Sequence, residues 1–213
     1  MGRKCKCLIA DDHPIIRKGI KDLLVDEGLC HVVSEAASGE AVLAMVRQEP
    51  WDLLVLDVAL PDKHGLEVLK EVKLLRPALP VLMLSLYPER EFAVRAIKAG
   101  ASGYLTKDRT PVEFVTAVRQ VLAGRRYISP SLANHLANHL TFRQSERPHE
   151  TLSDREMEVL RLLGQGKTVS AIAEDMALSV KTVSTYRGRL LKKLRLSTTA
   201  ALVRYAIEHR LTT

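Results

Sequence analysis

Cysteine is scarce in this chain of 213 residues: there are three, an odd number. That excludes a framework stapled by disulfides. Cys5 and Cys7 form a C-x-C, half of a metal-binding pattern, yet no second Cys or His pair at metal-ligand spacing joins them. They read as strand or core cysteines, because a free cysteine behaves as a small buried hydrophobe. Long apolar runs are missing too. None reaches the roughly 18–20 residues needed to cross a bilayer, so no membrane association is expected. Residues 1–7 are basic but lead into only a short apolar run, 8–10, ended by Asp11 and Asp12. That pattern is not a secretory leader. Internal repeats and low-complexity stretches are also absent. A cytoplasmic location is the expectation.

What is present is ordinary in bulk and uneven in detail. Hydrophobic residues make up 46% and charged residues 27%, which suits a soluble globular protein rather than a disordered one. The length accommodates two domains. The net charge is +7, and residues 151–213 hold 11 Lys+Arg against 6 Asp+Glu, so the last third carries most of the excess. A basic end can be merely a solvated surface, so charge alone does not establish nucleic-acid binding.

Up to about residue 125, short apolar runs alternate with helical periodicity. Strands are predicted at 5–10, 32–36, 53–57, 81–85 and 103–106. Helices are predicted at 14–26, 39–48, 65–75, 89–99 and 111–123. Pro14, Pro88 and Pro111 sit where first-turn prolines belong. Thr110 with Glu113 has capping-box spacing. Gly100 and Gly124 sit where glycine ends helices. Five βα units imply an α/β domain, a five-stranded parallel sheet with helices on both faces. Residues 130–140 read as a short helix, and 141–150, TFRQSERPHE, as a polar linker. The rest reads as all α. Ser153 and Glu156 open one helix, 169–177 forms a second, Ser179 caps a third to about 194, and Ser197 caps a fourth to about 209.

In a parallel α/β sheet, functional side chains gather beyond the C-terminal strand ends, where the strand order reverses. Asp11 and Asp12 end the first strand, Asp57 the third and Ser85 the fourth, and Lys107 follows the fifth. Folding brings all five to one rim. Three clustered carboxylates repel one another unless a cation joins them, and a hard divalent ion such as Mg²⁺ suits oxygen ligands. Asp57 can then act as a carboxylate nucleophile on phosphorus. Lys107 would neutralise the transferring oxygens, and Ser85 would hydrogen-bond the phosphoryl group. Lys63 and His64, near the pocket mouth, read as solvated loop residues.

In the third C-terminal helix, Val183, Tyr186, Leu190 and Leu194 form one apolar stripe at about 100° per residue. Lys181, Ser184, Thr185, Gly188 and Lys192 lie on the opposite face. That face is small and polar first, then basic, a shape that fits a major groove. Six basic residues fall within 181–195, and no acidic residue appears in 176–207. Each cation can neutralise a phosphate. The expected DNA-contact set is Lys181, Thr182, Ser184, Thr185, Arg187, Gly188, Arg189, Lys192 and Lys193.

The residues also carry two resemblances. LIADDHP (8–14), LLVLDVALPDKHG (53–65), VLMLS (81–85) and KAGASGYLTKD (98–108) resemble the receiver domain of two-component response regulators. LSDREMEVLRLLGQGKTVSAIAEDMALSVKTVSTYRGRLLKKL (152–194) resembles the LuxR-type helix-turn-helix of the NarL/FixJ response regulators. The resemblance implies a flavodoxin-like receiver at 1–128, a linker at 129–150 and a helix-turn-helix domain at 151–213. It implies phosphoryl transfer from a sensor histidine kinase to Asp57. It assigns Asp11, Asp12, Asp57 and the Ala59 carbonyl to Mg²⁺, Lys107 to the phosphoryl group, and Ser85 with Tyr104 to a switch in which the aromatic ring follows the hydroxyl inward. It further implies promoter double-stranded DNA as partner, homodimerisation on activation through the helix at about 198–209, contact with RNA polymerase, and a regulator rather than an enzyme. Where the family commonly has a Ser-Asn-Lys-Glu-like stretch, this chain has TVSA at 168–171, and Ser184 stands where the family commonly has Lys. Base readout is therefore expected to lean on Lys181, Thr185 and Lys192.

Two other readings are distinguishable. A regulator that uses its receiver only to dimerise, without phosphorylation, would bind DNA equally as wild type and as Asp57→Asn. A haloacid-dehalogenase-type phosphatase would place its nucleophile in a D-x-D after the first strand, and here His13 occupies the second acid's position.

Overall fold

Five short apolar runs become five parallel strands: β1 (Lys6–Ala10), β2 (Val32–Ala36), β3 (Leu53–Asp57), β4 (Val81–Ser85) and β5 (Gly103–Thr106). The sheet order is β2-β1-β3-β4-β5. β3 and β4, LLVLD and VLMLS, are buried along their whole length, as strands covered on both faces should be. The helices that alternate with these strands are α1 (Pro14–Asp26), α2 (Gly39–Gln48), α3 (Gly65–Leu75) and α4 (Glu89–Lys98), and α5 (Pro111–Leu122) follows β5. The computed structural model describes residues 5–87, 89–133, 148–209 and 211–212.

Alternation along the strands feeds two cores. Cys7 and Ile9 of β1, Leu53 and Val55 of β3, and Leu82 and Leu84 of β4 pack with Ile20 and Leu24 of α1 and Phe114, Val118 and Val121 of α5. The intervening residues Leu8, Leu54, Leu56 and Met83 are equally buried toward the other face. At roughly 1.5–3 kcal/mol for each large apolar side chain removed from water, these two layers hold the sheet rigid beneath its loops. Cys7 and Cys30 are buried and Cys5 half-buried, all as free thiols. A hydrogen bond with Cys7 and burial both push the Cys30 thiol far up, so it stays protonated.

The helix signals act as expected with small differences. Pro14 and Pro111 occupy first-turn positions, whereas Pro88 lies outside the described residues. Thr110 Oγ1 accepts from the Glu113 N–H at 3.3 Å, which is half of the expected capping box; the Glu113 carboxylate instead accepts from the Tyr127 hydroxyl at 2.8 Å. Gly100 and Gly124 end their helices with φ of +100° and +75°, a conformation that costs residues with a Cβ. Residues 130–133 are helical, while the remainder of the expected short helix and most of the expected linker, 134–147, lie outside the described residues.

Contacts divide the chain into two units, Met1–His139 and Leu140–Thr213. Among the described residues the second contains a 3-10 turn (Pro148–Thr151) and four helices: α6 (Asp154–Gly164), α7 (Val169–Asp175), α8 (Val180–Leu194) and α9 (Thr199–Glu208). The Ser153–Glu156 capping box at α6 is complete. Ser179 caps α8. The cap of α9 is Thr198, not the expected Ser197: its hydroxyl accepts from the Ala201 N–H at 3.1 Å. Adjacent hydroxyl residues are equivalent by propensity, and only the local backbone selects one. Among the described residues no helix is long and apolar enough to cross a membrane.

Candidate functional site

The strand order reverses between β1 and β3, so a crevice opens beyond their C-terminal ends. Asp11 follows β1 and Asp57 ends β3, and both are nearly inaccessible at 1% and 2% exposure. Lys107, immediately beyond β5, places its Nζ 2.7 Å from Asp11 Oδ2 and 2.7 Å from Asp57 Oδ2. Its backbone N–H is tied to the Ser85 carbonyl at 2.7 Å, which fixes where the long side chain starts. Asp12 is exposed at the rim. The sequence-expected carboxylates and lysine thus meet in one place.

Electrostatics follow from burial. Loss of solvent pushes the Asp57 carboxyl up to about 6, against the pull of Lys107. Burial alone would lower the Lys107 ammonium, but the Asp57 and Asp11 carboxylates outweigh it and hold it above the ordinary lysine value. One buried cation against two buried carboxylates leaves the crevice short of positive charge.

His13 is a member that sequence reasoning passed over. Its Nδ1 lies 2.6 Å from Asp12 Oδ1 and 3.1 Å from Asp11 Oδ1, and its backbone N–H donates to Asp11 Oδ1 at 2.9 Å. Asp11, Asp12, His13 and Asp57 each offer a ligand atom within 4.8 Å of the others. Its place directly after the Asp pair was the available signal. The Ala59 N–H donates to Asp57 Oδ1 at 3.2 Å, which aims the carboxylate.

The loop after β3 is folded more tightly than expected. His64 is fully buried rather than solvated. Its Nδ1 accepts from the Leu66 N–H at 3.2 Å, capping α3, and its ring lies 5.5 Å from Phe92. Lys63 is half-buried and ion-paired with Glu71 at 2.9 Å. Sequence position in a polar loop hid both, because the covering residues come from α3 and α4. Gly65 closes the loop: its N–H donates to the Val58 carbonyl at 2.7 Å.

Ser85 and Tyr104 converge on a residue not singled out from sequence. The Ser85 hydroxyl accepts from the Tyr87 N–H at 3.0 Å, and the Tyr104 hydroxyl donates to the Tyr87 carbonyl at 2.9 Å. Tyr104 is fully buried, so the inward position is the one adopted here. Both expected switch residues therefore grip Tyr87, Ser85 on its N–H side and Tyr104 on its carbonyl side, at the start of the β4–α4 loop.

In the second unit, α7 and α8 are joined by a turn in which Ala177 has φ of +50°. Val183, Leu190 and Leu194 are buried and Tyr186 is half-buried. Lys181, Thr185, Gly188, Arg189, Lys192 and Lys193 are exposed, whereas Thr182, Ser184 and Arg187 are half-buried. Not all of these are free. Lys193 Nζ meets Glu156 Oε2 of α6 at 2.6 Å. Thr182 Oγ1 lies 2.8 Å from the capping Ser179 hydroxyl, and Thr185 Oγ1 donates to the Lys181 carbonyl at 2.9 Å.

A family described as "Response regulator receiver domain" matches residues 7–119, and one described as "Bacterial regulatory proteins, luxR family" matches residues 150–206. The chain is a response regulator of the NarL/FixJ family. This regulator is 37% identical over 206 residues to response regulator GacA of Pseudomonas aeruginosa, covering 96% of each chain. It is 34% identical over 205 residues to response regulator UvrY of Escherichia coli K12, covering 96% of this chain and 94% of that one. Its fold is similar to RcsB from Salmonella enterica serovar Typhimurium bound to promoter P1flhDC in the presence of phosphomimetic BeF3−. That match has a TM-score of 0.60 and 25% identity, covering 95% of this chain and 98% of RcsB. This response regulator thus joins a receiver to a DNA-binding helix-turn-helix domain.

Proposed function

We propose that Asp57 accepts a phosphoryl group from a sensor histidine kinase and that this event controls homodimerisation and promoter binding by α8. The observation that carries the reading is the crevice itself: Asp57 buried beside Asp11, with Lys107 at 2.7 Å from both. An Asp57 oxygen attacks phosphorus, the phosphorus–nitrogen bond of the donor phosphohistidine breaks, and the imidazole nitrogen leaves, taking a proton from solvent. Lys107 moves from pairing two carboxylates to pairing the transferred group. The oxygen donors fit a hard divalent ion: Asp11, Asp12 and Asp57, with the Ala59 carbonyl, would hold Mg²⁺, which supplies positive charge against the phosphoryl oxygens. The Ser85 hydroxyl then turns its proton toward the phosphoryl group and shifts Tyr87, the residue whose carbonyl Tyr104 holds. The face around α4 and α5 repacks. The boundaries 1–128, 129–150 and 151–213, a cytoplasmic location and contact with RNA polymerase belong to the same reading.

The test is a phosphosite map. The protein is incubated with acetyl phosphate and Mg²⁺, the acyl phosphate is trapped by borohydride, and peptides are read by mass spectrometry. A tag at Asp57 is expected. A tag at Asp11 would overturn the assignment in favour of phosphatase-like chemistry, and no tag beside a labelled control receiver would favour a regulator switched by something other than phosphate.

The DNA face divides into contacts and braces. Burial opposes ionisation of Glu156, but Lys193 and the hydrogen bonds of Ser153 outweigh it and hold the carboxyl below its ordinary value of 4.5. A depressed carboxylate contributes stability above that ordinary value and loses it as pH falls through the folded one. Lys193 therefore braces α8 against α6. Lys193→Ala is expected to lose about 1 kcal/mol in urea unfolding, because a buried carboxylate loses one of its partners. It should leave the salt dependence of DNA binding unchanged. Lys192→Ala should leave stability alone and reduce the slope of log K against log salt by about 0.9, one phosphate's worth.

Gly188 stands in mid-helix on that face, and a Cβ built on it meets nothing within 4 Å. A glycine there costs about 1 kcal/mol relative to alanine and gains nothing in the fold. Close approach of a DNA backbone or base edge supplies a reason for it. Gly188→Ala is expected to stabilise the protein by up to about 1 kcal/mol while weakening DNA binding. Equal DNA affinity would remove Gly188 from the interface.

A further inference from the structure

The end of the sheet opposite the phosphoacceptor crevice holds a second concavity. A cleft of about 460 Å³ lies between the ends of α3, α4 and α5, floored by the segment leading into β5. Its walls carry Lys73, Lys98, Arg125 and Arg126, and among the described residues no carboxylate lines it. Three of these cations, Lys98, Arg125 and Arg126, are exposed and have no carboxylate partner among the described residues. Lys73 is half-buried, with its stem packed over Gly100, and its ammonium donates to the Leu79 carbonyl at 2.6 Å and the Pro77 carbonyl at 3.5 Å.

The loop carbonyls just beyond α3 account for Lys73. They do not explain four positive charges in one concavity. Burial and the nearby Arg126 hold the Lys73 ammonium below the ordinary lysine value, so the cations crowd one another at a cost. An anion would relieve that crowding. The cleft is within the size range of small-molecule sites and larger than inorganic phosphate requires. Pro77, Pro80 and Val121 add apolar wall, and Ser102, whose hydroxyl accepts from the Val81 N–H at 3.3 Å, is also in the lining. The charge count matches a diphosphate better than a single phosphate, and two arginines offer forked donors for its oxygens.

We propose that this cleft is a binding site for a pyrophosphate group, separate from the Asp57 crevice. Two sources share that chemistry, inorganic pyrophosphate and a nucleoside diphosphate. The site recognises charge at one end of the receiver while the phosphoryl chemistry occupies the other, so both can be occupied together.

The test is isothermal titration calorimetry on the full chain, with EDTA present and no phosphoryl donor, at fixed ionic strength. Inorganic pyrophosphate, ADP and inorganic phosphate are titrated in turn. Pyrophosphate is expected to bind more tightly than phosphate, and Arg126→Glu to weaken it by about tenfold or more, since two units of charge reverse at a ligated position. Lys98→Glu should act in the same direction. Asp57→Asn should bind pyrophosphate as wild type does, which separates this site from the crevice. ADP binding more tightly than pyrophosphate supports the proposal with a nucleotide as source, and equal or weaker ADP binding supports it with the pyrophosphate group alone. Phosphosite labelling of Asp57 in the Arg126→Glu protein reports that the variant is folded. Pyrophosphate binding no tighter than phosphate, or undiminished in a folded Arg126→Glu variant, overturns the proposal.

Discussion

Asp57→Asn is expected to take up no phosphoryl group and to lose all donor-dependent DNA binding, while binding DNA as unphosphorylated wild type does. The amide has the size of the carboxylate but lacks its nucleophilic oxygen. The fold should survive, because Lys107 retains its 2.7 Å pairing with Asp11. Stability should even rise. The Asp57 carboxyl has a folded pKa of about 6 against an ordinary 3.8. Between those values the native state binds more protons than the unfolded state, so wild-type stability falls as pH rises through the window. The neutral amide escapes that penalty, which is on the order of 1–3 kcal/mol. In EDTA, Asp57→Asn should unfold at higher urea than wild type at pH 7.5, and the gap should close as pH approaches 4. A variant whose DNA affinity still responds to acetyl phosphate would sink the phosphoacceptor assignment. Equal unphosphorylated affinities alone would not, since both mechanisms predict them.

Gly65→Ala should be the most disruptive small substitution near the crevice. A Cβ built on Gly65 lies 2.0 Å from the Asp57 carbonyl oxygen and 2.8 Å from the Val58 Cα. Both are backbone atoms flanking the phosphoacceptor, so no side chain can rotate away. The loop is also held by the Gly65 N–H to Val58 carbonyl bond and by a bridge between Ala59 and His64. Overpacking of this kind costs roughly 1–3 kcal/mol, and here the strain falls on the peptide that carries Asp57. Urea unfolding should show that loss, and labelling by acetyl phosphate should slow even where the protein is fully folded. Unchanged stability would mean that the loop can open without cost, contrary to its hydrogen bonding.

Much of the crevice was legible because parallel α/β folding converts strand ends into neighbours. Asp11, Asp57, Ser85 and Lys107 are spread over almost 100 positions, yet each stands at or just beyond a strand whose boundaries the apolar runs define. Period and register do the rest. The exposed face of α8 was legible for a similar reason, since 100° per residue separates Val183 and Leu190 from Lys181 and Lys192 without knowledge of any neighbour.

His64, Tyr87 and Lys193 were not legible, and they share a cause. Each owes its role to a partner distant in sequence or to the path of a loop: Phe92 beside His64, Tyr104 on the Tyr87 carbonyl, Glu156 on Lys193. Local pattern assigns a polar loop residue to solvent and a helix lysine to the nearest phosphate, because nothing in the surrounding few residues says otherwise. The same holds for the cationic cleft, whose lysines and arginines come from the ends of three helices. What the sequence determined by itself was the set of periodic elements, their order and the chemistry at their ends, since those follow from local geometry and burial period. Which side chains spend their charge or hydrogen bonds on one another came from the packing of distant segments, because pairing over 2.6–3.0 Å depends on three-dimensional neighbours rather than on spacing along the chain.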